Sequence, residues 1–160
     1  RYDTPQDLLP AGEVISQVRI IRSWTSRFGR TNLVGRAIDY LTFYLSASIT
    51  LLRTVRRGDI LVAATDPPML SVVVGPIARL KGAKLVNWLQ DIFPEVAEAV
   101  GVGKNPVMLA LYGLMRRLRT RSLQSADQNV VLGQRMAERV RAFGVAAPRI
   151  TIIPNWADGR

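Results

Sequence analysis

The chain has 160 residues, of which 48% are hydrophobic, so it is long enough for one domain with a core and too apolar for a disordered segment. Its 22 basic and 12 acidic side chains give a net charge of +10, which favours an anionic partner but does not define a fold. The sequence contains neither cysteine nor histidine. This excludes disulfides and the usual zinc sites, and it leaves carboxylates, lysine or tyrosine for acid–base chemistry.

Apolar runs alternate with helical patterns along most of the chain. The predicted strands are β-branched or continuously apolar, and the predicted helices carry apolar side chains at helical spacing. The strands are predicted at residues 14–21, 60–65, 84–89, 129–132 and 150–153. The helices are predicted at residues 33–55, 67–80, 94–100, 106–125 and 134–143, the last ending at Gly144. This order predicts a doubly wound α/β domain, with a mainly parallel sheet covered by helices on both faces.

One of the predicted strands, Ile60–Thr65, is apolar at nearly every position. Such a run is typical of a parallel strand that is buried on both faces. A second uncharged run, Tyr40–Leu52, has 13 residues. A membrane-spanning helix needs about 20, so no span is predicted.

Acidic residues follow two of the strands at the point where each strand ends. Ligands of parallel sheets bind beyond the carboxyl ends of the strands. Three such ends are predicted, at Thr65–Pro68, Leu89–Glu95 and Val131–Arg135. We therefore expect Asp66, Asp91 and Glu95 to lie along one edge of the sheet.

Two of these three acids also have a simple structural interpretation. Asp66 precedes two prolines and can cap the helix that follows it. Glu95 lies in a predicted first helical turn, where a negative charge is favoured by the helix dipole. Asp91 directly follows the strand and has no equally simple structural role, so it is the best candidate for a functional carboxylate.

Four arginines lie within six positions near the end of the helix 106–125. They are Arg116, Arg117, Arg119 and Arg121. Basic side chains near a helix C-terminus are stabilised by the helix dipole, and they are commonly exposed to solvent. The alternative is a patch that binds phosphate or an anionic membrane surface.

Several motifs of other α/β proteins are absent from the sequence, including the phosphate-binding P-loop, the dinucleotide fingerprint and the nucleophile elbow. The charge leaves open a basic α/β domain that binds nucleic acid or another phosphorylated ligand, but no helix-turn-helix, RRM or zinc-finger signature supports it. A receiver-like fold is the other alternative, and it lacks the acidic cluster expected at a first strand. We expect no nucleic-acid partner.

Four stretches, in matching order, resemble the N-terminal domain of GT-B glycosyltransferases of family 4 (group 1), the bacterial polysaccharide type. They begin at residues 59, 85, 126 and 149: DILVAATDPPMLSVV, LVNWLQDIFPEVAEAVG, ADQNVVLGQRMAERVRAFGV and RITIIPNWAD. The chain departs from the family pattern at Asp66 and Gly133, where serine is usual.

The resemblance implies a Rossmann-like domain that contacts the acceptor, at residues 1–153, and the start of an interdomain linker at 154–160. It implies that the full-length parent is a hexosyltransferase-type enzyme. It also implies that the family's first strand and its donor-binding domain lie outside the chain, and this fragment alone is therefore expected to be inactive.

The implied substrates are a nucleotide-sugar donor and a lipid-linked or saccharide acceptor, with no metal or other cofactor. The implied location is cytoplasmic, at the inner membrane surface. Asp91 falls at the catalytic position. The substrate-binding positions are Asp66, Pro68, Gln90, Glu95, Gly133 and Arg135, and the four arginines form the membrane or phosphate patch.

Overall fold

A computed structural model describes residues 10–28, 33–95 and 106–155. The strands are β1 (Gly12–Ile15), β2 (Val18–Ile21), β3 (Ile60–Ala64), β4 (Lys84–Trp88), β5 (Gln128–Val131) and β6 (Ile150–Ile152). The helices are α1 (Leu33–Thr54), α2 (Leu70–Lys81), α3 (Pro106–Ser125) and α4 (Gln134–Ala142). The chain divides into two compact units, Arg1–Thr50 and Leu51–Arg160.

The first unit begins with an antiparallel hairpin of β1 and β2, in which Gly12 pairs with Ile21 and Ile15 with Val18. The prediction of a single strand over residues 14–21 was therefore wrong. The chain reverses at Ser16 and Gln17, which both have positive φ, at 48° and 67°. Such turns favour glycine and asparagine, so these two residues give no sequence signal for the reversal.

The segment after β2 lies along the polar side of α1. Ser26 Oγ donates to Asp39 Oδ1 at 2.7 Å, and the backbone N–H of Ser26 donates to Thr42 Oγ1 at 2.9 Å. The Trp24 N–H donates to Ser46 Oγ at 2.8 Å. The polar side of the helix is thus covered by the chain itself.

An adjacent side of α1, turned by about 90° from the polar side, carries an apolar stripe made of Val34, Ile38, Leu41, Leu45 and Ile49. The spacings of three and four residues place these side chains within an arc of about 80° on the helix. All five are exposed, at 36–71% of their full area. The first unit therefore exposes the apolar side of α1 and covers the polar side, the reverse of what solvent alone favours.

The second unit is built on a four-stranded parallel sheet in the order β3-β4-β5-β6. Ile60 of β3 is paired with Lys84, Val86 of β4 with Gln128, and Asn129 of β5 with Ile150. Strands alternating with helices give a Rossmann-like α/β fold, which confirms the predicted fold class. The helices predicted at 33–55 and 106–125 are confirmed with ends within one residue, whereas the one predicted at 94–100 lies largely outside the described residues.

The core lies on the face of this sheet that α2, α3 and α4 cover. One cluster joins Ala63 and Leu85 of the sheet to Val74 and Ala78 of α2. A second cluster joins the sheet to α3 and α4 through Leu89, Leu123, Val131, Ala137 and Val140.

Two fully buried asparagines lie within the same face. Asn87 Nδ2 donates to Asn129 Oδ1 at 2.9 Å, and Asn129 Nδ2 donates to the carbonyls of Leu123 (3.0 Å) and Arg149 (3.3 Å). This amide pair ties β4 and β5 to the end of α3 and to the residue before β6.

The other face of the sheet is open at β3. Ile60 and Val62 are 64% and 58% exposed, while Ala63, on the helix-covered face, is buried. The prediction that this strand is buried on both faces was therefore wrong. The reason is that the helices of this unit pack on the face that carries Ala63, and Ile60 and Val62 point to the other face because successive side chains of a strand alternate.

Candidate functional site

Hydrogen bonds connect three strand ends along the carboxyl edge of the sheet. The backbone N–H of Gln90, after β4, donates to Thr65 Oγ1, after β3, at 3.3 Å. Asn155 Nδ2, beyond β6, donates to Gln90 Oε1 at 3.3 Å. Gln90 therefore links the exits of β3, β4 and β6, and it gives the predicted edge a fixed arrangement of polar groups.

Asp91 and Asp66 lie on this edge as exposed residues. Within the described part of the chain, neither carboxylate forms a hydrogen bond or an ion pair. Asp91 directly follows Gln90, so its carboxylate is available to a ligand at the strand ends. Its predicted catalytic role stays a prediction.

The alternative interpretation of Asp66 as a helix cap was wrong. Helix α2 begins at Leu70, and its N-cap residue is Met69, which has a left-handed backbone and makes no side-chain capping bond. Residues 66–68 precede the helix, so Asp66 and Pro68 both belong to the strand exit.

Glu95 is turned towards the helices and pairs with Arg119. Arg119 Nη2 donates to Glu95 Oε1 at 2.6 Å, with side-chain exposures of 9% for the arginine and 20% for the glutamate. The guanidinium carbon also lies 3.8 Å from the centre of the Phe143 ring, a cation–π contact. The second carboxylate oxygen, Oε2, and Arg119 Nε and Nη1 are buried without hydrogen-bond partners among the described residues.

The four arginines of α3 do not lie on one surface. Arg116, Arg117 and Arg121 are exposed, whereas Arg119 is buried in the ion pair with Glu95. The prediction that all four arginines form a surface patch was therefore wrong for Arg119, because the helical repeat turns this residue towards α4.

The third predicted strand end carries Gly133 and Arg135. Gly133 is the N-cap residue of α4, with an extended backbone and no side-chain cap, and a Cβ atom added there would meet no atom within 4 Å. Arg135, in the first turn of α4, is exposed. The structure thus places open space and a cation at this strand end.

Comparison with known proteins gives one family. The model of the glycosyl transferase 4-like domain matches residues 3–156. The chain belongs to this family. A relative, the probable glycosyltransferase WbjE of Pseudomonas aeruginosa, is 32% identical over 132 residues, which cover 82% of this chain. The chain spans 32% of the length of that relative.

Two residues of this glycosyl transferase 4-like domain were missed by sequence reasoning. Thr65 and Asn155 each form a hydrogen bond to Gln90, yet neither is charged or part of a catalytic motif. Asn155 follows β6, so applying the strand-end rule to the last strand would have identified it.

Proposed function

We propose that the chain is the acceptor-side part of an enzyme that transfers a sugar from a nucleotide-sugar donor to a lipid-linked or saccharide acceptor in bacterial polysaccharide synthesis. Membership of the glycosyl transferase 4-like family supports the general activity. The observation that carries the proposal is the strand-end edge, where Gln90 connects the exits of three strands beside the exposed carboxylate of Asp91.

The chemistry assigned to this edge is proton transfer from the acceptor hydroxyl. As the acceptor oxygen forms its bond to the anomeric carbon, the bond to the nucleotide diphosphate breaks and the diphosphate leaves with the electron pair. Asp91 takes the hydroxyl proton, a role that needs an accessible carboxylate. Gln90 accepts from Asn155 through Oε1, which leaves its NH₂ group as a donor that can orient the acceptor.

The test is nucleotide release by the full-length protein that contains this domain. It is supplied with a panel of UDP- and GDP-sugars and a membrane lipid extract as acceptor. Asp91→Asn is expected to lower kcat by about 10²-fold or more, the range of general-base catalysis. Its unfolding temperature should stay unchanged, because the carboxylate has no partner to lose within the described residues.

Asp59→Asn is the matched control. Asp59 lies before β3, at the amino end of the strands, where Oδ2 accepts from the backbone N–H of Arg56 at 2.8 Å, and asparagine keeps that acceptor. Equal rates for Asp91→Asn and the wild type would remove Asp91 from the mechanism. No turnover with any donor, in a folded protein, would contradict the proposed function itself.

We also propose that the protein works at the surface of an anionic membrane, on its cytoplasmic side. Within the described residues no helix is long and apolar enough to cross a bilayer, and the contact that we propose for this domain is peripheral. The apolar stripe of α1 supports this location, together with Trp24 and Phe28 of the same unit, which are 67% and 66% exposed. Apolar helix faces and aromatic side chains insert at the headgroup level, and the net charge of +10 favours anionic lipid.

A further inference from the structure

A cleft between α2 and α3 lies outside the strand-end site. It has a volume of about 210 Å³ and is lined by Ser71, Val72, Gly75, Pro76, Arg79, Leu118, Arg121, Ser122 and Ser125. None of these residues follows the carboxyl end of a strand. The cleft is formed by one side of each helix, since its residues on α3 recur at three- and four-residue spacing.

Two of the residues that line the cleft are exposed arginines, Arg79 and Arg121. Within the described part of the chain, neither is paired with a carboxylate. This distinguishes them from Arg119, which lies two positions before Arg121 and is neutralised by Glu95. Two positive charges therefore face one cleft without a counter-ion.

Hydroxyl groups lie between the two helices in the same cleft. Ser122 Oγ donates to Ser71 Oγ at 3.0 Å, which leaves the Ser71 proton free to donate to a ligand. Ser71 is the second residue of α2, where the helix dipole adds positive potential. The lining thus offers two guanidinium groups and one hydroxyl donor.

We propose that this cleft binds a phosphate group, a role that goes beyond the proposed transfer reaction. Two guanidinium forks and a hydroxyl present more donors than the two oxygens of a carboxylate can accept, whereas a phosphate has three or four acceptor oxygens. The phosphate belongs either to a free phosphate compound or to a lipid headgroup, and the same donors serve both.

The experiment compares the wild-type full-length protein that contains this domain with its double variant Arg79→Gln/Arg121→Gln. Binding of inorganic phosphate and pyrophosphate is measured by calorimetry at low salt. Binding to phosphatidylcholine vesicles, with and without phosphatidylglycerol, is measured by co-sedimentation. The control is Arg139→Gln/Arg141→Gln, which removes the same charge from exposed positions on α4.

In the double variant we expect affinity for the phosphate probe to fall about tenfold or more, since charge-assisted hydrogen bonds are lost. The control should lose much less. If the double variant loses affinity for phosphatidylglycerol vesicles but not for free phosphate, the result supports phosphate binding by the cleft and identifies a lipid headgroup as the ligand. Loss with free phosphate supports the cleft and identifies a soluble ligand.

Equal losses in the two double variants would show only a general charge effect and would overturn the proposal. Failure of the wild type to bind any of the probes would overturn it as well. Either result leaves the proposed sugar transfer unaffected, because that reaction is measured by nucleotide release at the strand-end edge.

Discussion

Gly144 and Gly133 lie near the two ends of α4 and differ in backbone conformation and in the space around them. Gly144 has a φ of 83°, a left-handed conformation, and a Cβ atom there would lie 2.9 Å from Gln124 Nε2. Gly133 is extended, and its Cβ direction is open. The sequence predicts the helix stop at Gly144 because glycine tolerates positive φ. It does not reveal the second constraint, the contact from α3.

Gly144→Ala is expected to lower the free energy of unfolding by about 1–2 kcal/mol, because alanine is strained at positive φ and displaces Gln124. That displacement also disturbs the 2.8 Å hydrogen bond from Gln124 Nε2 to the Phe143 carbonyl. Urea unfolding measures the loss.

Gly133→Ser serves as the control, and it should leave stability unchanged or raise it by a few tenths of a kcal/mol, since serine fits and caps α4. Wild-type stability in Gly144→Ala would refute the steric argument.

At the scale of the elements, sequence patterns predicted the long helices and the central strands well. Long apolar periodicity leaves few alternatives, as in α3, which begins at Pro106 and ends at Ser125 as expected. The failures come from contacts distant in sequence. The Ser16-Gln17 turn lacks the usual turn residues, and the exposure of Ile60 and Val62 in β3 depends on which face of the sheet the helices cover rather than on the apolar sequence.

The ion pair of Glu95 and Arg119 joins two elements, the segment after β4 and helix α3. Glu95→Gln leaves the Arg119 charge buried without its counter-ion. We expect a loss of about 2–3 kcal/mol in the free energy of unfolding, below the value for a fully buried pair because Glu95 is partly exposed.

The double variant Glu95→Leu/Arg119→Met should recover part of this loss, since both charges are then removed together. The measurement is a double-mutant cycle from urea unfolding. Wild-type stability of Glu95→Gln would contradict this prediction, because the pair would then make no net contribution to the free energy of unfolding.

At the scale of the whole molecule, the sign and size of the net charge follow from composition, whereas the pairing of individual charges depends on the fold. Arg119 and Arg22 are paired with acids, whereas Arg79 and Arg121 face a shared cleft. The strand-end rule placed Asp66 and Asp91 on one edge, because that rule needs only strand order. It could not show that Glu95 turns inwards, since a side-chain partner on α3 decides that.

The membrane proposal is tested on the apolar stripe of α1. Leu41→Glu/Leu45→Glu places two charges on the stripe and should abolish most binding to phosphatidylglycerol vesicles in co-sedimentation. Leu80→Glu is the control, since Leu80 is also strongly exposed, at 75% against 66% and 65% for Leu41 and Leu45, but lies on α2.

Wild-type vesicle binding by the double variant would contradict the proposal. A second contradicting result is a dimer of the wild type, seen by sedimentation velocity, that is absent in the double variant. The stripe would then be covered by a second copy of the chain.

The buried pair of Asn87 and Asn129 offers an internal spectroscopic probe. Asn87 Nδ2 donates to Asn129 Oδ1, and Asn129 Nδ2 donates to the carbonyls of Leu123 and Arg149. Both side chains are fully buried, so water reaches these protons only when the packing around them opens. In NMR, the hydrogen-exchange rates of two side-chain amides would therefore report this local opening directly. A ligand that bridges α2 and α3 would slow the exchange without contacting either asparagine.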